Sequence, residues 1–505
     1  MSRRALSDTA YGSLAVYIEY LFGLVASILT ARALLPGDMG VYSLLIWLVA
    51  NAVVIANAGI TLGAIKFIAE LRGAGRDADT ARLVRRLRGM QRAMLAIVAA
   101  VLALVFVLFR DRLGPGVPGW VFALLLGTVA LRAPYMFNIA VLKGRQDFRS
   151  TALIATIGAG VNLAMIVALW SGRTLPATLP AFVVAYALSS LVFFVVSNRR
   201  AMRFPEGDGN TGDIGGGALP PELEARIRHH LRVAGVTTVL GAIGASEIEL
   251  LALNLLSDSA HAGLFKVANA LASGIALLVP GVLSAQLLPM MAKAHGSGGG
   301  EAGRRFIAMT TWLWVLGAPL IAAGSVFADH AIGLLYGSAY AAAAPVLVAL
   351  LVARTAAVLG QGATAYLLSA DRQTALMRLT LLFTALRALG AFAGTWFGGL
   401  DGAVAATLGL SLLATIATVQ LALRVSATTL PWARLLRIGL AAAVPALVCL
   451  SFARHLSPLW GLVAGTAAFA ILYPPCVWWL RGLDDEDACH LRAMAARWRA
   501  RRGAA

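Results

Sequence analysis

Apolar residues run through this chain in long blocks, separated by short polar stretches rich in arginine. A helix needs about 20 apolar residues to cross the hydrocarbon core of a bilayer. Fourteen stretches meet that need. The first six lie near Tyr11–Leu34, Gly40–Phe67, Ala93–Phe109, Pro118–Leu142, Ser150–Trp170 and Leu179–Val196. Six more lie near Leu231–Leu256, Ala262–Met290, Phe306–Phe327, Ala341–Gly362, Ala375–Phe397 and Gly402–Leu423. Two follow near Leu435–Phe452 and Leu459–Leu480. Residues 199–230 are too polar to span, and their Gly-rich, acidic run reads as a linker. The pattern therefore predicts an all-α polytopic membrane protein of about 14 transmembrane helices.

The basic residues set the orientation. With the N-terminus in the cytoplasm, 33 of the 42 Lys and Arg residues fall on the cytoplasmic side. The opposite side holds Arg32, Arg110, Arg112, Arg173 and Arg454, and four more lie inside spans. Such a bias marks the cytoplasmic face. The tail, Arg492 to Arg502, is basic as well, so both termini are expected inside and the span count even. Arg492–Arg502, with Trp498, is patterned either to lie on anionic lipid or to be a solvated basic end. Arg3 and Arg4 precede an apolar run of full spanning length, which predicts an uncleaved first helix rather than a signal peptide.

Composition agrees with the pattern. Of 505 residues, 59% are hydrophobic and 13% charged, with mean hydropathy +0.80. Soluble domains carry about 25% charged residues. The net charge of +18 would suggest nucleic acid in a soluble chain, but here topology accounts for it and no RNP or zinc-finger spacing occurs. Cys449, Cys476 and Cys489 form no CxxC, and the seven histidines are scattered, so neither disulfide nor metal is expected. There is no Walker A sequence. The Gly296–Gly300 run lacks the Lys-Ser/Thr and reads as a loop, so no cofactor is expected.

An internal repeat is visible. Gly40-Val-Tyr-Ser followed by Gly59 resembles Gly263-Leu-Phe-Lys followed by Gly281, and Leu142-Lys-Gly-Arg-Gln146 resembles Ser369-Ala-Asp-Arg-Gln373. Six spans separate the copies, which predicts two six-helix bundles related by a pseudo-two-fold axis along the membrane normal, plus two C-terminal helices. The expected divisions are an N-terminal bundle over 1–200, a linker over 201–230, a second bundle over 231–424, helices 13 and 14 over 425–480 and a basic tail over 481–505. This arrangement suits a secondary transporter.

Several motifs carry a family resemblance. Leu29-Thr-Ala-Arg-Ala-Leu-Leu-Pro-Gly-Asp-Met-Gly-Val-Tyr-Ser-Leu44 and Asn57-Ala-Gly-Ile60 lie in the first half. Glu249 followed by Gly263-Leu-Phe-Lys-Val-Ala268, Ile332-Gly-Leu-Leu-Tyr-Gly-Ser-Ala-Tyr340 and Leu400-Asp-Gly-Ala-Val-Ala405 lie in the second. In order and spacing these resemble the Wzx-type polysaccharide flippases of the multidrug/oligosaccharidyl-lipid/polysaccharide exporter superfamily, over most of residues 10–424. The family's acid near position 249 is usually Asp, and Asp401 departs from its pattern. The resemblance implies flipping of undecaprenyl-diphosphate-linked repeat units across the bacterial inner membrane, for O-antigen, capsule or exopolysaccharide. The substrate is then a lipid-linked oligosaccharide. Further partners are membrane lipids, a polysaccharide polymerase and chain-length proteins, with no nucleic acid.

Charges inside spans cost about 2.5–3.5 kcal/mol on insertion scales, so they face cavities or partners. The interior cations Arg132, Arg387, Arg354 and Lys266 are candidates to bind a diphosphate head group, with Arg132 and Arg387 nearest mid-span. Glu249, Glu247 and Glu19 are candidates for ion coupling, with Glu249 favoured to face the cavity because it matches the family's acid. The alternative is structural pairing, of Glu249 with Lys266 or of Glu19 with an arginine. Competing functions are a cation-coupled multidrug-type exporter, a peptidoglycan-precursor flippase and a membrane-embedded glycosyltransferase or polymerase. No enzymatic activity is expected.

Overall fold

The computed structural model describes residues 3–171, 178–202, 220–245, 247–277, 284–296, 300–453 and 455–482. Most of the expected linker (203–219), most of the basic tail (483–505), Arg173, Arg454, Gly281 of the repeat and Cys489 lie outside them. The described residues are helical throughout apart from turns and short connections. In chain order the helices are α1 (Arg3–Ala33), α2 (Pro36–Ala56), α3 (Ile60–Gly73), α4 (Asp77–Leu113), α5 (Gly119–Gly144), α6 (Phe148–Trp170), α7 (Leu179–Met202) and α8 (Pro221–Ala245). They continue as α9 (Ile248–Leu256), α10 (Ser259–Leu277), α11 (Ser284–Gly296), α12 (Glu301–Tyr336), α13 (Ala343–Ser369), α14 (Gln373–Ser426), α15 (Trp432–Ala453) and α16 (Pro458–Trp479). The last ten residues of the expected linker thus begin α8.

Ten of these helices are, each taken alone, long and apolar enough to cross a membrane. Each of the fourteen expected spans has a helix, or a helix in two pieces, at its position. The second span is α2 with α3, the seventh α8 with α9, and the eighth α10 with α11. The eleventh and twelfth are the two arms of α14, bent at Gly398–Gly399. Gly399 has φ 55° and ψ −131°, a conformation open to glycine alone, so the bend falls where the sequence permits it.

The breaks have local causes. Pro36 opens α2 behind an extended Leu35, where the missing N–H costs nothing. At the other end of α2, the Asn57 side-chain amide donates to the carbonyls of Val53 (2.9 Å) and Ala133 (3.1 Å), which fixes the break against α5. Apolar surface points outward. Val107, Trp396, Phe397 and Trp479 are all exposed, Phe397 at 87%. Water would not tolerate so much exposed apolar area, whereas lipid is its natural solvent.

Two compact units form, one of residues 1–267 with 387–403, the other of 268–386 with 404–505. In the first, Phe67, Ile68, Leu83, Leu87, Phe137, Ile227 and Leu231 pack α3, α4, α5 and α8 together. The repeat glycines Gly40 and Gly263 also belong to this unit, and they meet. A Cβ on Gly40 would overlap the Ser259 carbonyl, and one on Gly263 would overlap that of Pro36. The repeated glycine is therefore the point where α2 and α10 approach backbone to backbone. In the second unit, Met291, Phe306, Tyr366 and Ala422 form one core. Phe327, Cys449 and Phe469 form another, which seats α15 and α16 on α12.

Candidate functional site

The first unit contains a cavity of about 550 Å³ between α1, α2, α6, α7, α8 and α10, with Glu247 at its wall. Its polar lining follows from helical spacing. On α2, Ser43, Trp47 and Asn51 recur every four residues and share one face. Ser27 and Thr30 contribute from α1, Asn162 from α6, and Tyr186 from α7. Among the described residues, Ser27 Oγ, Ser43 Oγ and Trp47 Nε1 are buried without a hydrogen-bond partner. An unpaired buried donor costs about 1–3 kcal/mol, so three along one cavity are groups that a polar ligand would satisfy.

The charged pair of this cavity is Glu247 with Lys266. Helix α9 begins at Ile248, so Glu247 sits just before it with φ −80° and ψ 66°, outside regular helix. Its side chain meets Lys266 of α10, Nζ to Oε2 2.6 Å, with both side chains partly accessible. The break also explains the fate of Glu249. A continuous helix would separate the two acids by about 200°, and the favoured reading put Glu249 on the cavity. The break instead gives Glu247 to the cavity and turns Glu249 inward. Glu249 is fully buried and takes a two-point contact from Arg387, Nε to Oε1 2.9 Å and Nη2 to Oε2 3.2 Å. The expected pairing of Glu249 with Lys266 is thus replaced by two parallel pairs.

The remaining candidates disperse. Arg132 donates from Nε to Ser190 Oγ at 2.8 Å, and its guanidinium lies 4.3 Å from the Tyr186 ring centre and 5.4 Å from that of Phe193. It stands behind a cavity wall residue rather than in the wall. Arg354 belongs to the second unit, where Nη2 donates to Asn269 Oδ1 at 2.7 Å. Glu19 is exposed on α1. A smaller cavity of about 340 Å³ in the second unit is lined by Gln361, Thr364, Thr415 and Thr418 and carries no charge. Charge alone does not reveal the neutral polar lining of the 550 Å³ cavity. The amides Asn51 and Asn162 inside apolar spans, and the four-residue spacing on α2, were its signal.

No protein-family model matches the chain, and no curated protein matches it in sequence. Solved structures do match in fold. The lipid II flippase MurJ, in an inward closed conformation, aligns with TM-score 0.71 at 11% identity, covering 93% of this chain and 98% of its own. An inward-facing multidrug resistance MATE family transporter of the MOP superfamily aligns with TM-score 0.62 at 16% identity, covering 81% of this chain and 95% of its own. A MOP superfamily transporter from Pyrococcus furiosus, described as having a binding pocket of reversed polarity, aligns with TM-score 0.56 at 16% identity, covering 83% and 94%. The chain therefore has the fold of MOP superfamily transporters and is a multi-pass membrane protein.

Proposed function

We propose that this chain flips undecaprenyl-diphosphate-linked oligosaccharide repeat units from the cytoplasmic to the periplasmic leaflet by alternating access. The observation that carries the reading is the lining of the cavity in the first unit. Hydroxyls, amides, Tyr and Trp rings and a single Lys266–Glu247 pair suit a sugar-bearing head group with a phosphate nearby. Lys266 supplies the cation for the phosphate, and Glu247 supplies the counter-charge that it exchanges when cargo binds. Arg132 orients Tyr186 from behind. Glu249 with Arg387 serves structure. The lipid tail stays in the bilayer, so only the head needs a polar path. The exporter alternative, taking cationic drugs, fits a cavity with a lysine less well.

The likeness to a lipid II flippase favours a second reading, a peptidoglycan-precursor cargo, which shares the polyprenyl-diphosphate chemistry and differs in the sugar. A deletion strain decides between them. The main proposal predicts lipid-linked repeat units trapped on the cytoplasmic leaflet with peptidoglycan synthesis unaffected. Stalled peptidoglycan synthesis with normal polysaccharide export would favour the second reading.

A further inference from the structure

A second cavity of the first unit, about 650 Å³, lies apart from the one described above and runs along α4 and α8, with Ile55, Ala58 and Ile60 also in its lining. Its two walls have the same plan. On α4, Arg86, Met90 and Met94 follow one another every four residues. On α8, Arg228 and Arg232 are followed by Val236 and then Val239. Both walls therefore change from guanidinium to apolar side chain along their length. At 1.5 Å per residue the walls extend about 12 and 16 Å. Met90, Met94 and Val236 are exposed, so the groove opens outward along its side.

The charged end holds three arginines against one acid. Glu224 accepts from Arg86 at 2.7 Å and from Arg228 at 2.9 Å, while Arg232 is exposed and has no ion pair among the described residues. An excess of two positive charges at the mouth of an apolar groove complements a phosphate attached to a hydrocarbon chain. These arginines lie on the side that the basic-residue bias assigns to the cytoplasm.

We infer that this groove is a binding site for an anionic phospholipid, its phosphate at Arg86, Arg228 and Arg232 and one acyl chain between Met94 and Val236. The site is separate from the cargo cavity, so the inference stands whether or not the flippase reading does.

The test is native mass spectrometry of the full-length protein in detergent, titrated with phosphatidylglycerol, phosphatidylcholine or undecaprenyl diphosphate. Phosphatidylglycerol is expected to be retained at least ten-fold better than phosphatidylcholine. Combined Arg228→Gln and Arg232→Gln should abolish that preference. Val236→Trp, at an exposed position, should reduce retention of phosphatidylglycerol by filling the apolar end, and it serves if the arginine variant does not fold. Equal retention of the two phospholipids, or an unchanged preference in the variants, would overturn the inference. Displacement of phosphatidylglycerol by equimolar undecaprenyl diphosphate would also overturn it, because the groove would then belong to the cargo.

Discussion

Replacing Glu249 or Arg387 separates structure from transport most sharply. Glu249 is 0% exposed, whereas the Arg387 side chain keeps 20% of its surface accessible. Removing one partner of a buried pair costs about 3–5 kcal/mol because the other charge is left uncompensated. Arg387→Gln strands the fully buried carboxylate and should fall near the upper figure. Glu249→Gln strands a guanidinium that is only partly enclosed and should fall near the lower one. Unfolding entropy is about 2.1 cal/mol/K per residue, so for a unit of about 280 residues these costs lower the melting temperature by roughly 5–8 °C. Replacing both with apolar residues of similar volume, Glu249→Leu with Arg387→Met, should recover most of the loss, since such replacements are often neutral or stabilising. The assay is tryptophan-fluorescence melting in detergent. A Glu249→Gln protein that melts with the unaltered one yet loses transport would refute the structural role and return Glu249 to ion coupling. A double variant as unstable as the worse single one would refute the pairing argument.

Three further outcomes are expected. Gly40→Leu or Gly263→Leu forces apart the backbones of α2 and α10 and should cost about 1–3 kcal/mol or more, read as a lower melting temperature. Lys266→Gln should leave the melting curve within a degree or two and reduce transport at least ten-fold, because its pair with Glu247 is only partly buried. Hydrogen bonds from Arg86 and then Arg228 hold the Glu224 carboxyl below its ordinary range. A depressed folded-state pKa gives stability that is present above the ordinary carboxylate range and lost as pH falls through the folded value. Amide-exchange protection of residues 221–230 should therefore weaken as pH falls below the ordinary carboxylate range, and Glu224→Gln should remove that dependence on pH.

Much of the fold was legible because bilayer-spanning helices are set by length and apolarity alone. Helix lies at the position of each of the fourteen expected stretches among the described residues, and even the bend at Gly398–Gly399 falls between the eleventh and twelfth. What the pattern could not show was where a span breaks. The match to the family's acid favours Glu249 for the cavity, whereas the non-helical backbone at Glu247, just before α9, gives that place to Glu247. The repeat glycines Gly40 and Gly263 were visible as a motif, but their meaning, a mutual backbone contact, needed the fold. In the sequence Arg228 belongs to the polar linker and Arg232 to the cytoplasmic end of the seventh span. On α8 they fall in register with Val236 and Val239, and only that register shows the groove. The site was partly legible for a related reason. Charge inside a span is conspicuous in sequence, whereas Ser27, Ser43 and Asn51 acquire significance only once their helices converge.

The central claim is that a lipid-linked oligosaccharide crosses the membrane through this protein. The direct measurement uses liposomes holding the purified chain and a fluorescent undecaprenyl-diphosphate-linked oligosaccharide, with a membrane-impermeant reagent that destroys the label in the outer leaflet. Without the protein about half of the label should survive, shielded in the inner leaflet. With the protein, loss should approach completion, and Lys266→Gln should slow it at least ten-fold. Protection that stays near half with the unaltered protein, alongside uptake of a cationic drug by the same liposomes, would contradict the account.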